Sequence, residues 1–463
     1  MRYRWPIVPD IAMATISLSR GLDLPIAGAA SGAPVPLDLP ATVGLLPPEF
    51  VGFVPRMAVQ EGDAVQRGTP LLFHKSNPDL LLLSPVAGRV KEVRRGARRV
   101  ITEVIIEVGG DGAVSHRQWT PAELSKIPRD EATTGLLRSG FWPHLTTRPL
   151  DKIADPARPA QAILVSGTET GPLQPGADVL IPADGKTALQ AGLYVLKALI
   201  DGPVYVTTPA GSRHPAFQGL EGVSTSEFSG PHPSGDPAVQ VNHLCPPTGA
   251  SGVVWTIRAW DVWLIGRFFL EGSYPGDRVY AAVGLGVKQP RFVSTVQGAP
   301  IAHILGAISD GVRIIRGSVL TGESVSSDAY TSYYRRGVHV LPEAVERKVL
   351  GWAMPDLGTF SVYAAYVKGL LGSKTPADVR PGVYGGHRAM IPIGQYERVI
   401  ASPDILPDPL FRSMIAGDIE EATKLGLLEL SPEEAALCTY ICPSKNEFQI
   451  LLRESLAAYE KEN

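Results

Sequence analysis

Two thiols, Cys438 and Cys442, stand four residues apart in Cys438-Thr439-Tyr440-Ile441-Cys442-Pro443, near the end of a chain that holds only 3 cysteines in 463 residues. Thiolates grip iron–sulfur clusters, and the bacterial ferredoxin run C-x2-C-x2-C-x3-C-P converges four of them on one cube of iron and sulfide. The last half of that run is intact here. Counting back from Cys438, the earlier ligands belong at Ala435 and Pro432, and neither side chain can bind iron. Two thiolates of four leave a cluster half ligated, so no cluster is expected. Taken alone, the pair reads equally well as two small buried side chains on a helix.

Other stretches invite a chemical reading. Asp184-Gly185-Lys186-Thr187 mimics the end of a P-loop, but the leading glycine belongs where Leu180 stands, and nucleotide binding is not expected there. Val279–Val283 reads as a strand running into Gly284-Leu285-Gly286; the third glycine position holds Gln289, and Pro290 obstructs a helix start. His232, His243 and Cys245 lie close in sequence at the spacing of no common zinc site, so hydrogen-bonded loops rather than metal are their expected use. The aromatic pair Phe141 and Trp142 has the apolar surface to line a pocket, against which an ordinary core role must be set. No G-x-S-x-G, H-E-x-x-H or C-x-x-C occurs, which removes the common hydrolase, zinc-protease and thioredoxin readings.

The elements that must carry these residues follow from composition and periodicity. The length gives room for about three domains. A net charge of −3 and no basic stripe leave nothing to hold nucleic acid. So few cysteines argue for a reducing compartment. The longest apolar stretch, Gly252 to Leu270, is interrupted by Arg258, Asp261 and Arg267, so no membrane span is expected. Met1–Ala12 lacks the apolar core of a signal peptide and reads as an extension ahead of Met13.

From Glu49 to Val108 short apolar runs alternate with glycine corners: Val51–Val54, Gly62 to Val65, Gly68 to Phe73, Leu80–Leu83, Gly88 to Val90 and Val100 to Ile106. Glycine supplies positive φ at the corners and β-branched residues fill the strands. The G-D-x-V-x-x-G turn with S-P-x-x-G-x-V resembles the lipoyl and biotinyl carrier domains. Lys75 occupies the tip where a carrier holds its modified lysine, yet no Met-Lys-Met surrounds it. The run Arg94-Arg95-Gly96-Ala97-Arg98-Arg99 falls at a hairpin turn, as a solvated loop or a dock for an acidic or lipid-covered surface.

Further on, Ala162–Val165 and Asp178–Ile181 read as buried strands. Leu189, Leu193, Leu196 and Ile200 mark one helical stripe closed by Gly202-Pro203, and Val204–Thr207 reads as the next strand. This β-α-β unit predicts a Rossmann-like layer. At the end, Ser431-Pro432-Glu433-Glu434 is a capping box with proline at N1, and Ser444 to Glu447 repeats the device ahead of Phe448, Leu452, Ser455 and Tyr459. With Leu410–Ala416 and Ile419–Leu425 these make a four-helix end piece.

Stretches spread along the chain in one order, among them Arg20 to Gly28, Ser84 to Val90, Arg95 to Arg99, Gly230 to Gly235, Val287 to Arg291, Arg388 to Arg398, Asp404 to Pro407 and Leu437 to Pro443, carry a resemblance to the A-subunit family of bacterial sodium-translocating NADH:quinone reductases. That family is similar to the flavin and iron–sulfur subunits of Rnf complexes and complex I. The likeness implies a multidomain α/β chain: an extension (1–12), a region with a lipoyl/biotinyl-like barrel-sandwich (13–112), a Rossmann-like α/β domain (113–274), a β-grasp, SLBB-like domain (275–345) with Phe292–Val296 and Arg313–Arg316 as strands, a connecting segment (346–400) and a C-terminal helical bundle (401–463).

It further implies a peripheral subunit on the cytoplasmic face of the inner membrane, one of six in a complex that oxidises NADH, reduces ubiquinone and expels Na+. The flavins, iron–sulfur centre and other iron of such a complex belong to its other subunits, and the expected neighbour is the membrane-embedded quinone-reducing subunit. Gly140, Phe141, Trp142 and Pro143 then resemble the remnant of a G-x-G-G-A-G-F-P flavin loop, and Cys438 and Cys442 a vacated iron–sulfur position. Phe141 and Trp142 are the candidates to meet a quinone. Two other readings stay open: a quinone- or flavin-binding oxidoreductase component that takes part directly in electron transfer, and a biotin or lipoyl carrier modified at Lys75.

Overall fold

The computed structural model describes residues 14–248, 252–343 and 394–462. Met1–Ala12, and the connecting segment 346–400 up to residue 393, lie outside them.

The apolar run Ala162–Ser166 is buried at every position, as a strand covered on both faces requires. It lies inside a six-stranded sheet ordered Ala14–Ser17, Ser224–Ser229, Val204–Pro209, Ala162–Ser166, Val254–Arg258, Thr146–Arg148, parallel throughout except for the last pair. The helix Lys186–Leu199 buries Leu189, Leu193 and Leu196 and links two of these strands, so the expected β-α-β unit is present. It crosses the helix Ala259–Glu271 with backbones almost touching: a Cβ on Gly266 would lie 1.7 Å from the Ala188 carbonyl oxygen. Asp178–Ile181, expected as a strand, is instead part of a helical turn, Ala177–Leu180, whose Val179 and Leu180 amides donate to the Gly176 carbonyl. A four-residue apolar run has no period by which to tell the two apart.

The barrel-sandwich pairs a sheet ordered Thr42–Leu45, Ile101–Val108, Gly88–Arg95, Ala64–Val65 with one ordered Pro55–Met57, Pro70–His74, Asn77–Leu83. Val51–Val54 is a turn rather than a strand, and it is the flanking Phe50, with Phe53, that enters the core. Lys75 is exposed at the tip between Pro70–His74 and Asn77–Leu83. The segment ahead of the sandwich serves other layers. Ala14–Ser17 is the edge strand of the α/β sheet, and Val35–Pro36 pairs with Arg291–Val296 in a third sheet.

That third sheet runs Glu323–Val325, Val312–Arg316, Gly337–Pro342, Asp277–Val283, Arg291–Val296, Val35–Pro36, and contains both strands expected of the β-grasp unit. Its strand Asp277–Val283 continues into an antiparallel partner, Arg291–Val296, and not into a helix, which disposes of the dinucleotide reading at Gly284.

Four helices, Pro407–Ala416, Ile419–Lys424, Pro432–Ile441 and Phe448–Glu462, form the end piece. Ser431 and Glu434 make the expected reciprocal cap with Pro432 at N1. The second cap is displaced: Lys445 has φ +50°, outside helical space, so the last helix begins at Phe448. Phe448, Leu452 and Ser455 still face the core, with Phe448 stacked on Phe411 at 3.9 Å between ring centroids.

Arg148 fastens this piece to the α/β sheet. Its guanidinium, 2% exposed, donates to Asp151 at 2.7 Å and to the carbonyls of Leu428, Glu429 and Leu430 at 3.1, 3.1 and 3.2 Å. Arg148→Met strands three buried carbonyls, at a cost of about 3 kcal/mol. Hydrogen exchange read by mass spectrometry is expected to quicken in Pro432–Ile441 while Ala162–Ser166 stays protected.

Candidate functional site

Open α/β sheets bind ligands in the crevice beyond the carboxyl ends of their strands. Beyond Ser166 and Arg258 lies a cavity of about 580 Å³, closed on its other sides by residues that follow the third sheet's strand Val312–Arg316, such as Thr321 and Arg335, and by Glu433 and Leu452 of the terminal helices. Three layers therefore meet around one space.

Its floor is a set of paired charges. The Thr170 and Gly171 amides donate to Glu169 Oε1 at 2.9 and 2.7 Å, and Arg258 approaches the other oxygen at 3.6 Å. Arg258 also donates to the Thr168 and Gly235 carbonyls at 2.8 and 2.9 Å. Deeper, Asp261 takes Arg336 Nη2 at 3.0 Å on one oxygen and stands 3.1 Å from His144 Nδ1 on the other. Burial pushes the His144 pKa down, against the pull of Asp261. Asp261, which burial alone would raise, is held below its ordinary value by His144 and Arg336. At the junction with the helices, His232 Nε2 lies 3.3 Å from Glu433, which also accepts from the Thr321 hydroxyl at 2.7 Å. Thr170 Oγ1 faces His232 Nδ1 at 3.2 Å.

Among the described residues of the wall, Trp260 Nε1 (5% exposed), Gln174 Nε2, His144 Nε2 and Asp236 Oδ2 have no protein hydrogen-bond partner. A buried donor left unpaired costs about 1–3 kcal/mol, so Trp260 Nε1 and Gln174 Nε2 mark where a water or a ligand's acceptor belongs.

The sequence singled out other residues, and the structure distributes them around this cavity more than in it. Phe141 and Trp142 are fully buried. Phe141 stacks on Tyr274 at 5.1 Å and on His144 at 5.7 Å between ring centroids, with the Arg278 guanidinium 5.7 Å above it, and Trp142 Nε1 donates to the Ala154 carbonyl at 2.8 Å. Neither lines the cavity; His144, two residues on, does. Gly140 has φ +75° and would press a Cβ to 2.9 Å from Leu83 Cγ. Tyr333 donates its hydroxyl proton to the Gly140 carbonyl, and Tyr334 donates to the Pro143 carbonyl at 3.0 Å. The loop's Gly140 and Pro143 carbonyls are thus engaged by tyrosines and its Phe141 and Trp142 side chains fill the core.

Cys438 and Cys442 are buried in the terminal helices. Burial drives the Cys438 thiol well above its ordinary pKa, and Cys442 Sγ accepts from the Tyr396 hydroxyl at 3.2 Å and from Asn446 Nδ2 at 3.4 Å. Ala435 is wholly buried against the same core and Pro432 opens the helix, so the donor set does not fit an iron–sulfur cluster. His232 is occupied by Glu433 and Thr170, and His243 Nε2 faces the Ala401 carbonyl at 3.0 Å, so their environment is that of loop and helix docking. Among the described residues no three His, Cys, Asp or Glu side chains gather as a metal site. Sequence reasoning missed Glu169, Arg258, Trp260 and Glu433. The first three follow the ends of two strands, a position that carries meaning only once strand order is known.

Likeness to known proteins extends along the whole of this architecture. The family described as "NqrA N-terminal barrel-sandwich hybrid domain" matches residues 16–109, "NqrA second alpha/beta domain" matches 127–274, and "NQRA C-terminal domain" matches 280–327. The NqrA protein of the Na(+)-translocating NADH-quinone reductase of Klebsiella pneumoniae (strain 342) is 39% identical, over 96% of this chain and 100% of that protein. Its counterpart in Vibrio parahaemolyticus is 39% identical over the same shares. Among solved structures, a chain of an air-oxidised NAD+-reducing [NiFe]-hydrogenase overlays with a TM-score of 0.35 at 12% identity, over 76% of this chain and 72% of that one, too slight a likeness to carry a conclusion.

The His232–Glu433 pair predicts a pH dependence. Burial lowers the His232 pKa, but Glu433, with Glu169 and Asp236 beyond, outweighs it and the value is raised; Glu433, which burial raises, is lowered by His232, Thr321 and Arg335. The pair's stabilisation is full above the ordinary carboxylate value of 4.5 and below the ordinary imidazole value of 6.5. It fades as pH falls through the depressed Glu433 value or rises through the raised His232 value. Urea midpoints of wild type and His232→Gln are expected to differ most within that window and to converge on both sides.

Proposed function

This chain belongs to the NqrA family of Na(+)-translocating NADH-quinone reductase subunits, and from that membership we propose that it serves as a peripheral, cytoplasm-facing component of an inner-membrane complex that passes electrons from NADH to a quinone and expels sodium. The observation that carries this reading is the end-to-end match: the relatives that bear this name are covered over their whole length. Among the described residues no helix is long and apolar enough to cross a membrane, which agrees with a peripheral place.

In this proposal the chain holds no redox cofactor of its own. The flavins, the iron–sulfur centre and any other iron reside on the other subunits of a six-subunit assembly, and the closest neighbour is the membrane-embedded subunit that reduces ubiquinone. What supports it is chemistry already described: alanine and proline at two ligand positions, a protonated Cys438 thiol, and a Gly140 loop whose carbonyls are taken by tyrosines. The cavity beyond Ser166 and Arg258 is the place in this chain to wall a quinone head group, because the acceptor oxygens of a quinone match the unpartnered donors of Trp260 and Gln174. Phe141 and Trp142 stand one layer behind, with Phe141 bracing His144.

Two measurements test the proposal. Iron, acid-labile sulfide and flavin on the purified full chain are expected far below one per chain, with no NADH oxidation; any of them bound one-to-one overturns the scaffold reading. In the assembled complex, Trp260→Phe removes one donor while keeping the ring. The KM for quinone is expected to rise roughly fivefold, the worth of about 1 kcal/mol of hydrogen bonding, with kcat unchanged; an unaltered KM removes the cavity from the quinone path.

A further inference from the structure

The hairpin joining Gly88–Arg95 to Ile101–Val108 ends in Arg94-Arg95-Gly96-Ala97-Arg98-Arg99-Val100, and every residue of it is exposed. Its backbone is fixed: the Gly96 amide donates to the Val100 carbonyl at 2.9 Å, and the Arg99 and Val100 amides donate back to Gly96 and Ala97, both at 3.2 Å. Arg94 is neutralised by Glu92 at 3.1 Å and Glu103 at 2.7 Å. Arg95, Arg98 and Arg99 have no carboxylate within ion-pairing distance among the described residues. Beside them Val100 leaves 53% of its surface in water. Three other exposed arginines are paired: Arg117 with Glu123 and Glu131, Arg129 with Asp201, Arg138 with Asp79.

We propose that this tip is a membrane-contact site that seats on the phosphate headgroups of an anionic lipid surface, with Val100 entering between them. Three guanidiniums without a carboxylate, of which Arg95 also donates Nη1 to the Arg99 carbonyl at 3.3 Å, can meet phosphate oxygens, and each basic side chain near an anionic leaflet strengthens attachment about fivefold, so three give roughly a hundredfold. An apolar side chain set among the arginines suits a lipid boundary, where charge stays in the headgroups and the methyls pass below, better than a carboxylate-lined protein face. A net charge of −3 gives the chain as a whole no general attraction to an anionic surface, so attachment would be local to the tip. The proposal rests on the family reading only for there being a membrane nearby; the lipid chemistry is the tip's own.

The purified full chain is to be sedimented with vesicles of phosphatidylcholine alone and of phosphatidylcholine mixed equally with phosphatidylglycerol. A partition at least tenfold greater on the anionic vesicles, falling steeply with salt, is expected. The variant R95Q/R98N/R99N keeps residues that tolerate the left-handed φ of positions 98 and 99, +54° and +61°, and is expected to lose the preference. Val100→Ser is expected to lose a few-fold of it. A control, R117Q/R129Q/R138Q, changes the net charge equally and should retain it. Equal loss in the control, or no preference in wild type, overturns the proposal. So does a tip variant that still binds anionic vesicles as wild type does but no longer joins the complex, which would place the tip on an acidic protein face. Because the vesicles contain no partner protein, failure here leaves the family reading standing, and a bound cofactor would fail that reading without touching the tip.

Discussion

An ionised side chain taken out of water must find its partners within a few ångströms, and in this protein that constraint holds the layers together. Arg148 sits on the edge strand of the α/β sheet and spends its donors on carbonyls just ahead of the helix Pro432–Ile441. Glu434, buried at the first turn of that helix, takes the amides of Ala401, Ser402 and Ser431. Glu433, one residue earlier, joins His232 of the α/β unit to Thr321 of the third sheet. Each is costly to bury alone and satisfied only when two or three units are in register. The arrangement of the units is therefore selected by charge satisfaction as much as by apolar packing.

The same logic bears on the segments that resemble cofactor sites. A glycine-rich loop and a cysteine helix are surfaces of exposed amides and thiols when they serve a cofactor. Here Tyr333 and Tyr334, from the segment between two strands of the third sheet, close onto the carbonyls at Gly140 and Pro143, and Tyr396 closes onto Cys442. Phenolic hydroxyls are the partners of those groups. In the proposed reading, what was binding architecture works as interdomain adhesive, because the polar atoms such a site exposes must be satisfied by something.

Much of this was legible in the sequence where the signal is local. The crossover Ala162–Ser166, Lys186–Leu199, Val204–Pro209 followed from one helical stripe between two apolar runs, and the cap at Ser431 from four residues. Legibility failed where a local pattern has two solutions: Asp178–Ile181 turned as helix, Val51–Val54 turned over without pairing, and the cap expected at Ser444 was undone by the positive φ of Lys445. It failed differently at the cavity. Glu169, Trp260 and Glu433 are far apart in the chain and ordinary in type; only the meeting of strand ends with a helix that begins at residue 432 makes them neighbours. The N-terminal segment shows the same limit, since nothing local in Ala14–Ser17 says that it pairs beside Ser224–Ser229.

The charge balance of the cavity also constrains what it can receive. Arg258 is matched to Glu169, Arg336 to Asp261, and His232 to Glu433, while Arg335 is held by the Thr321 carbonyl. A charged ligand that broke one of these pairs would leave its other member stranded in low dielectric, at a cost of several kcal/mol that one new contact does not return. The atoms without a protein partner are the donors of Trp260 and Gln174, His144 Nε2 and the Asp236 carboxylate oxygen Oδ2. An uncharged molecule presenting a carbonyl oxygen can accept from Trp260 and Gln174 without disturbing the pairs. That pairing separates the cavity from the arginine tip of the sandwich. There Arg95, Arg98 and Arg99 lack acidic partners among the described residues and stand in water, so an anion can be received without breaking an ion pair.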